Sequence, residues 1–144
     1  MKIHIIGASC AGSTTLGNAL AQHFNYPLFD SDNYFWEASN PPFTIKRNPD
    51  LRNTMIAHDI AQHENWILSG SLVNWGPVWF NMFNLVVFLY IPHDIRMQRL
   101  KNREQERYGD HIFTNPSTWP LCNGHRAMMT IPPMAATCRP MKPG

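Results

Sequence analysis

The spacing of apolar and polar residues at the start of the chain predicts a strand, a helix and a second strand. Residues 2–6 form a short β-rich run that ends at a group of small residues. Residues 14–24 repeat apolar side chains at four-residue intervals, which predicts a helix with one apolar face. Residues 27–29 are expected to form another short strand, so the chain opens with a strand–helix–strand unit.

The middle of the chain predicts a loop, a helix and a third strand. Residues 37–50 contain three prolines and are expected to form a loop. Residues 50–64 predict a helix with Asp50 near its start, where a carboxylate interacts favourably with the helix dipole. The third strand is predicted at residues 65–68 and ends at a turn over residues 69–71.

Residues 84–91 give the strongest strand pattern, because they are continuously apolar and rich in β-branched or aromatic residues. This composition predicts a strand buried on both faces of a parallel sheet. Residues 94–108 predict a polar helix that Gly109 ends. The alternation of strands and helices predicts an α/β fold with a parallel sheet flanked by helices.

The carboxyl-terminal stretch has a different composition. Residues 111–144 contain no Asp or Glu and are rich in proline, and no helical or strand period runs through residues 119–144. The pattern changes abruptly near residues 118–119. We therefore expect a folded domain over residues 1–117 and an atypical proline-rich tail over residues 118–144. A natural flexible extension and a segment translated in a shifted reading frame both account for such a tail.

Length and composition indicate one domain and exclude several classes of partner. The chain has 144 residues, of which 44% are hydrophobic, enough for a single core. Its formal net charge is only +2, and the basic residues are dispersed, so we expect neither nucleic acid nor a membrane surface as the main partner. The three cysteines have no metal-ligand spacing, which favours reduced thiols in a cytoplasmic protein.

A phosphate-binding loop follows the first predicted strand. Residues 7–14 read GASCAGST and match G-x-x-x-x-G-K-[ST] at each defined position except the lysine. Small residues let backbone amides converge on an anion, and the next helix adds the positive end of its dipole. The alternative is a small-residue turn without a ligand. The residues expected to hold the nucleotide are Gly7, Ala8, Ser9, Cys10, Ala11, Gly12, Ser13, Thr14 and Thr15.

Ser13 occupies the position of the missing lysine. That ammonium group normally reaches the terminal phosphates and offsets the charge that develops during transfer. A serine hydroxyl donates one neutral hydrogen bond, so phosphate binding is expected to survive better than catalysis. Either another cation substitutes for the lysine, or the enzyme is slow, or the protein only binds its ligand.

The order of the motifs resembles that of the nucleoside monophosphate kinase and shikimate or gluconate kinase superfamily. These motifs are the loop, the sequence FDSD at residues 29–32, the sequence WILSG at residues 66–70 and the arginine-rich helix. The likeness covers residues 1–117 and looks strongest to adenylate-kinase-related proteins called topology modulation proteins. It implies a P-loop NTPase-type sheet. This sheet is expected to be incomplete at its carboxyl end, because the tail matches none of the elements that should follow, which are the lid helices, a fifth strand and a loop that holds the adenine.

The resemblance also implies a kinase-like phosphotransferase that uses ATP or another nucleoside triphosphate, with Mg²⁺, and a small-molecule acceptor. Thr14 and Asp32 would bind the metal, and Asp32, with Asp30 beside it, would meet the acceptor hydroxyl. Gly70 would let the acceptor approach the backbone, and Arg52 would clamp an anionic group on it. Arg47 fits the same clamping role.

In kinases of this superfamily, the region that corresponds to the arginine-rich helix leads into a lid that closes over the phosphates. Arg103 and Arg107 are the residues expected to reach the migrating group, with Arg99 third, and they would supply part of the charge that Ser13 lacks. The alternative is an exposed helix face with Glu104 and Glu106 among its neighbours.

The other motif residues also have structural alternatives. Asp30 and Asp32 would form local turns or cap a helix, Gly70 would end a strand, and Arg52 would lie in solvent. Trp36 fits a partly buried core aromatic better than an acceptor pocket. The rivals to a kinase are a non-catalytic nucleotide- or phosphate-binding module and a structural protein with a vestigial loop. A missing fifth strand would expose apolar surface and favour a homo-oligomer.

Overall fold

The computed structural model describes residues 1–40 and 42–109. The predicted tail over residues 118–144 lies outside this part of the chain, as do residues 110–117 of the predicted domain. Within it the strands are β1 (Lys2–Gly7), β2 (Leu28–Asp30), β3 (Trp66–Ser69) and β4 (Leu85–Leu89). The helices are α1 (Ser13–Phe24), α2 (Ser31–Phe35), α3 (Pro49–Ala61) and α4 (His93–Tyr108), with a 3-10 helix at Pro77–Trp79.

The four strands form one parallel sheet in the order β2-β3-β1-β4. Strand β1 lies between β3 and β4, with Ile5 opposite Ser69 on one side and Val87 on the other. Because the strands are parallel, β1, β2 and β3 all end at the same edge of the sheet, the edge at which open α/β sheets bind ligands. The predicted α/β fold with a parallel sheet flanked by helices is confirmed.

Two apolar clusters cover the two faces of the sheet. Neighbouring residues of a strand point to opposite faces, so Ile67 packs with Ile3 and Ile5 against α1, whereas Trp66 and Leu68 face the other way. The second cluster adds side chains from α2, α3 and the segment after β3: Tyr34, Ile56, Ile60, Trp75 and Trp79. Burial of each large apolar side chain contributes about 1.5–3 kcal/mol, and this packing fixes the strand ends that carry the polar residues.

The prediction that the strand at residues 84–91 is buried on both faces is wrong. Strand β4 pairs with β1 alone and forms an edge of the described sheet. Val87 and Leu89 pack towards the α1 cluster, but Val86 and Phe88, on the other face, are 56% and 68% exposed. The apolar run therefore predicted the strand correctly, but it did not predict that one face of the strand is exposed.

Two short elements were not predicted. Helix α2 has five residues, too few for an apolar period, and it begins because the Asp30 carboxylate accepts a hydrogen bond from the Asp32 amide. The 3-10 helix follows Gly76 and begins with Pro77. Across the described range no helix is both long and apolar enough to cross a bilayer.

Candidate functional site

The predicted phosphate loop connects β1 to α1 at the carboxyl edge of the sheet. The Ala11 amide donates to the Ala8 carbonyl at 2.9 Å and closes the turn. Gly12 caps α1 with a φ of 97°, a conformation that β-branched residues avoid, and no side chain caps the helix there. The first turn of a 12-residue helix thus points its amides and its positive dipole end at the loop.

Asp30 joins the loop to two neighbouring strands. Its Oδ2 accepts hydrogen bonds from the Thr14 hydroxyl at 2.8 Å and the Ser69 hydroxyl at 3.1 Å. Its Oδ1 accepts from the Asp32 amide at 3.0 Å. Asp30 therefore caps α2, as the structural alternative anticipated, and also fixes the hydroxyl expected to bind the metal.

Asp32 lies at the rim of the site in the first turn of α2. Its side chain is exposed, yet the surrounding protein partly desolvates the carboxyl and raises its pKa, and the charge of Asp30 raises it further. The positive charges of Arg103 and Arg107 and a hydrogen bond from Trp36 oppose this increase. These interactions place Asp32 within electrostatic reach of both predicted arginines.

Gly70 lies directly after β3 and packs against α2. Its φ is 99°, and a Cβ at this position would overlap the Ser31 hydroxyl, so only glycine fits. His4 Nε2 lies 2.9 Å from the Gly70 carbonyl oxygen. Burial lowers the pKa of His4, an effect that the Gly70 bond only partly opposes; the neutral ring therefore donates through Nε2. This buried contact anchors the turn.

Helix α4 brings its arginines to the phosphate loop. Arg103 Nη2 donates to the Ser9 hydroxyl at 3.2 Å, and Arg99 Nη1 donates to the Cys10 carbonyl at 3.4 Å. Glu104 is buried and lies between two of the guanidinium groups: its Oε1 is 3.2 Å from Arg103 Nη2 and 3.9 Å from Arg107 Nη1. The helix thus contacts the loop through Arg99 and Arg103, although Arg99 and Arg107 remain exposed to solvent.

Arg107 also contacts the segment between α2 and α3. Its guanidinium carbon lies 4.5 Å from the ring centre of Phe43, and Phe43 packs edge-on against Trp36. Phe43 has a φ of 60°, a conformation that bulky residues adopt rarely. The contact connects the segment between α2 and α3 to the arginine-rich helix α4.

Arg52 is buried, with 6% of its surface exposed. Its guanidinium carbon lies 4.3 Å from the ring centre of Trp75 and 5.4 Å from that of Phe35. Nη2 donates to the Asn74 carbonyl, whereas Nε has no hydrogen-bond partner among the described residues. Burial lowers the pKa of Arg52, and no carboxylate in the described range forms an ion pair with it.

Arg47 has a different environment. Its Nη1 donates to the carbonyls of Asn33 and Tyr34, at 3.0 and 2.8 Å. The guanidinium therefore satisfies carbonyls at the carboxyl end of α2, where a cation interacts favourably with the helix dipole. This contact gives Arg47 a structural role.

The donor atoms at the loop suit a hard divalent cation. Thr14, Asp30 and Asp32 offer only oxygen atoms, which Mg²⁺ prefers, and Mg²⁺ usually takes one or two protein carboxylates together with substrate phosphates. No cluster of three His, Cys, Asp or Glu side chains able to hold a metal occurs among the described residues. The protein donors therefore fit a metal that arrives with phosphate oxygens.

The structure brings most of the predicted site residues to one edge of the sheet. Residues 7–15, Asp30, Asp32 and Gly70 lie there, and Arg103 and Arg107 reach them from α4. Arg52 lies apart, in the aromatic cluster beside α2. The sequence did not reveal the roles of Ser69, Phe43 and Glu104. The position of Ser69 directly after the strand predicted at residues 65–68 was a signal for its role, and the three-residue spacing of Glu104 and Arg107 on one helix was a signal for their contact. The contact of Phe43 with Arg107 joins distant segments and left no signal.

Comparisons with known proteins show what the chain resembles. A family model described as "AAA domain" matches residues 3–116. Uncharacterized protein YqaC of Bacillus subtilis (strain 168) is 43% identical over 118 residues, which are 82% of this chain and 65% of that protein. The chain thus spans just under two thirds of the length of that relative.

A kinase is similar in both sequence and fold. Shikimate kinase of Bacteroides thetaiotaomicron is 30% identical over 117 residues, covering 74% of this chain and 67% of that protein. A crystal structure of shikimate kinase from Bacteroides thetaiotaomicron matches with a TM-score of 0.51 at 23% identity, over 89% of this chain and 82% of that chain. The structural likeness shows a shared fold.

Proposed function

The chain belongs to the AAA domain family of kinase-like P-loop proteins, and from that premise we propose that it binds a nucleoside triphosphate and transfers its terminal phosphoryl group to a small anionic acceptor. The observation that carries the proposal is the bond from Arg103 to Ser9. This hydrogen bond holds a positively charged side chain against the loop, in which Ser13 occupies the position that a lysine normally fills.

The phosphates would occupy the loop at residues 7–14. Backbone amides and the start of α1 supply hydrogen bonds and partial positive charge, and Arg103 supplies a full charge beside Ser9. Thr14, Asp30 and Asp32 would hold Mg²⁺, which when bound would offset phosphate charge. ATP is the triphosphate that the kinase resemblance favours.

Transfer would be an in-line displacement. The acceptor hydroxyl oxygen forms a bond to the terminal phosphorus while the bond from that phosphorus to the bridging oxygen breaks, which leaves the nucleoside diphosphate. Asp32 would take the hydroxyl proton. Arg103 and Arg107 would offset charge on the migrating group.

The acceptor would carry an anionic group. Arg52 is a buried cation without a carboxylate partner in the described range, and such a charge is stabilised by a counterion. Shikimate, gluconate and nucleoside monophosphates are the acceptors to test, because shikimate kinase is a relative and the motifs resemble those of all three kinase groups.

The free thiol of Cys10 suits a reducing cytoplasm.

The test combines binding with turnover. Calorimetric titration of ATP with Mg²⁺ should show saturable binding, and γ-labelled ATP should transfer label to one of the three acceptor classes. A wild-type chain that binds neither ATP nor inorganic tripolyphosphate would contradict the proposal. An Arg103→Gln variant that binds ATP as tightly as the wild type would remove the arginine from the site.

A second candidate function is a non-catalytic nucleotide- or phosphate-binding module. Ser13 favours it, because the loop retains its backbone donors and lacks the ammonium group that assists transfer. Tight binding of ATP without label transfer to any acceptor, and without ATP hydrolysis, would support the module over the kinase.

A further inference from the structure

The phosphate end of the site contains equal numbers of positive and negative side chains. Arg99 and Arg103 contact the loop, and Arg107 acts on Asp32. Three carboxylates lie at the same end of the site: Glu104 contacts Arg103 and Arg107, and Asp32 interacts electrostatically with these two arginines and with Asp30. Within the described residues the side chains around the loop are therefore close to electrically neutral.

Glu104 differs from the other two carboxylates in its burial. Its side chain is 4% exposed, whereas those of Arg103 and Arg107 are 29% and 33% exposed. A buried charge is screened much less by solvent ions than an exposed one. The charge of Glu104 therefore offsets the charges of the two arginines effectively. The hydrogen bonds from Thr14 and Ser69 give Asp30 a structural role that Glu104 does not share.

A triphosphate brings about four negative charges to this neutral site. In the usual loop a lysine would add one positive charge, and here Ser13 adds none. The start of α1 contributes the equivalent of only about half a positive charge. The side chains present are thus insufficient to neutralise the ligand.

We propose that Glu104 sets the phosphate site near neutrality, so that a polyphosphate binds tightly only together with a divalent cation. The inference rests on the proposed function, and it assigns Glu104 as the residue that makes the site select the metal complex over the free anion. The side chain acts through Arg103 and Arg107 and does not itself touch the ligand.

The wild-type chain provides the first measurement. Inorganic tripolyphosphate is titrated calorimetrically in buffer with EDTA and again with excess Mg²⁺. The affinity with Mg²⁺ is expected to exceed the affinity without it by at least about tenfold. Equal affinities in the two buffers would overturn this inference and leave the proposed function intact, whereas no binding in either buffer would overturn both.

The second measurement uses Glu104→Gln with Glu106→Gln as a matched control. Glu106 lies two residues further along α4 and is exposed, so both variants lose one negative charge. Glu104→Gln should bind metal-free tripolyphosphate about tenfold more tightly than the wild type, the scale of a unit charge over roughly 10 Å at an effective dielectric constant of about 20. Glu106→Gln should resemble the wild type.

A double variant separates charge from geometry. Glu104→Gln with Arg107→Gln restores the charge balance and should return the magnesium dependence towards the wild-type ratio. If Glu104→Gln instead weakens binding equally with and without Mg²⁺, the residue only holds Arg103 in place and the inference is wrong. Circular dichroism of each variant checks the fold, and equal wild-type affinities with and without Mg²⁺ would overturn the inference even if a variant does not fold.

Discussion

The proposed phosphate side and the proposed acceptor side of the site are built on different physical principles. The phosphate side consists of the loop at residues 7–15 and helix α4, and it relies on backbone amides and balanced charges. The acceptor side consists of α2, the start of α3 and Trp75, and it relies on aromatic packing around one buried cation, Arg52. Asp32 lies between the two.

This difference indicates how each side would select its ligand. A neutral phosphate side gains little from an anion alone, so charge must arrive with the ligand. The Arg52 guanidinium is buried and has no carboxylate partner within residues 1–40 and 42–109, so an anionic acceptor group would restore an interaction that solvent no longer provides. The two sides therefore respond differently to changes in backbone, charge and metal.

Gly12→Val should have the largest effect, because it disrupts the backbone on which the phosphate side depends. Valine is strongly disfavoured at a φ of 97°, so the loop must change conformation. Calorimetry should detect no binding of ATP with Mg²⁺, a loss of at least about 100-fold, equivalent to about 2.7 kcal/mol.

Gly76→Val is the matched control for backbone strain. Gly76 has a φ of 106°, and a Cβ at either glycine would meet no atom within 4 Å. Both variants should lose about 1–2 kcal/mol of stability, but Gly76→Val should retain ATP binding. Unchanged ATP affinity in Gly12→Val would exclude the loop from the site.

Arg52→Met tests the acceptor side. Removing the guanidinium should lower kcat/KM for an anionic acceptor about 10–100-fold, the scale of a charged hydrogen bond, while ATP affinity stays constant. Because methionine replaces a buried unpaired charge with an apolar chain, the free energy of unfolding should change by less than about 1 kcal/mol.

Arg96→Met is its matched control, since Arg96 is half-buried on α4 and donates to the Ile91 carbonyl. This variant should keep the acceptor kinetics of the wild type. A normal kcat/KM for the acceptor in Arg52→Met would mean that Arg52 only packs against Trp75.

Ser13→Lys should have a smaller effect, on the phosphate side alone. The added ammonium would give the site a net positive charge, so ATP affinity without Mg²⁺ should increase about tenfold. Acceptor KM should not change, because Arg52 lies apart from the loop. Weaker ATP binding by this variant would mean that the loop is built around a different ligand.

Asp32→Asn should have the smallest effect on stability. The folded protein raises the pKa of Asp32 above its ordinary value of 3.8, so the folded state disfavours the charged carboxylate. The favourable contribution of Asp32 is complete below pH 3.8 and is lost as the pH rises through the raised pKa. At pH 7 the variant should be more stable, by less than about 0.5 kcal/mol for this exposed group.

Thermal unfolding between pH 3 and pH 7 measures this difference. The melting temperatures of Asp32→Asn and the wild type should converge at the acidic end. A variant that is less stable than the wild type at pH 7 would show that the carboxylate stabilises the fold. Asp30→Asn is a useful contrast, because Asp30 accepts hydrogen bonds from Thr14 and Ser69 and its loss should be destabilising.

The sequence predicted the parts of the fold that depend on local pattern. The loop, the order of strands and helices, and the placing of Asp30 and Gly70 at strand ends followed from glycine spacing and apolar runs. The exposure of Phe88 and the burial of Glu104 did not, because both depend on what another segment covers. Helix α2 was missed because five residues carry no period, although Asp30 is a typical cap.

A crystal structure with a non-hydrolysable ATP analogue and Mg²⁺ tests the central claim most directly. We expect the phosphates to lie against the amides of residues 8–14, with the Arg103 guanidinium within hydrogen-bonding distance of a terminal oxygen. Phosphates bound elsewhere, or a loop whose amides are paired with protein carbonyls and leave no room for an anion, would contradict it.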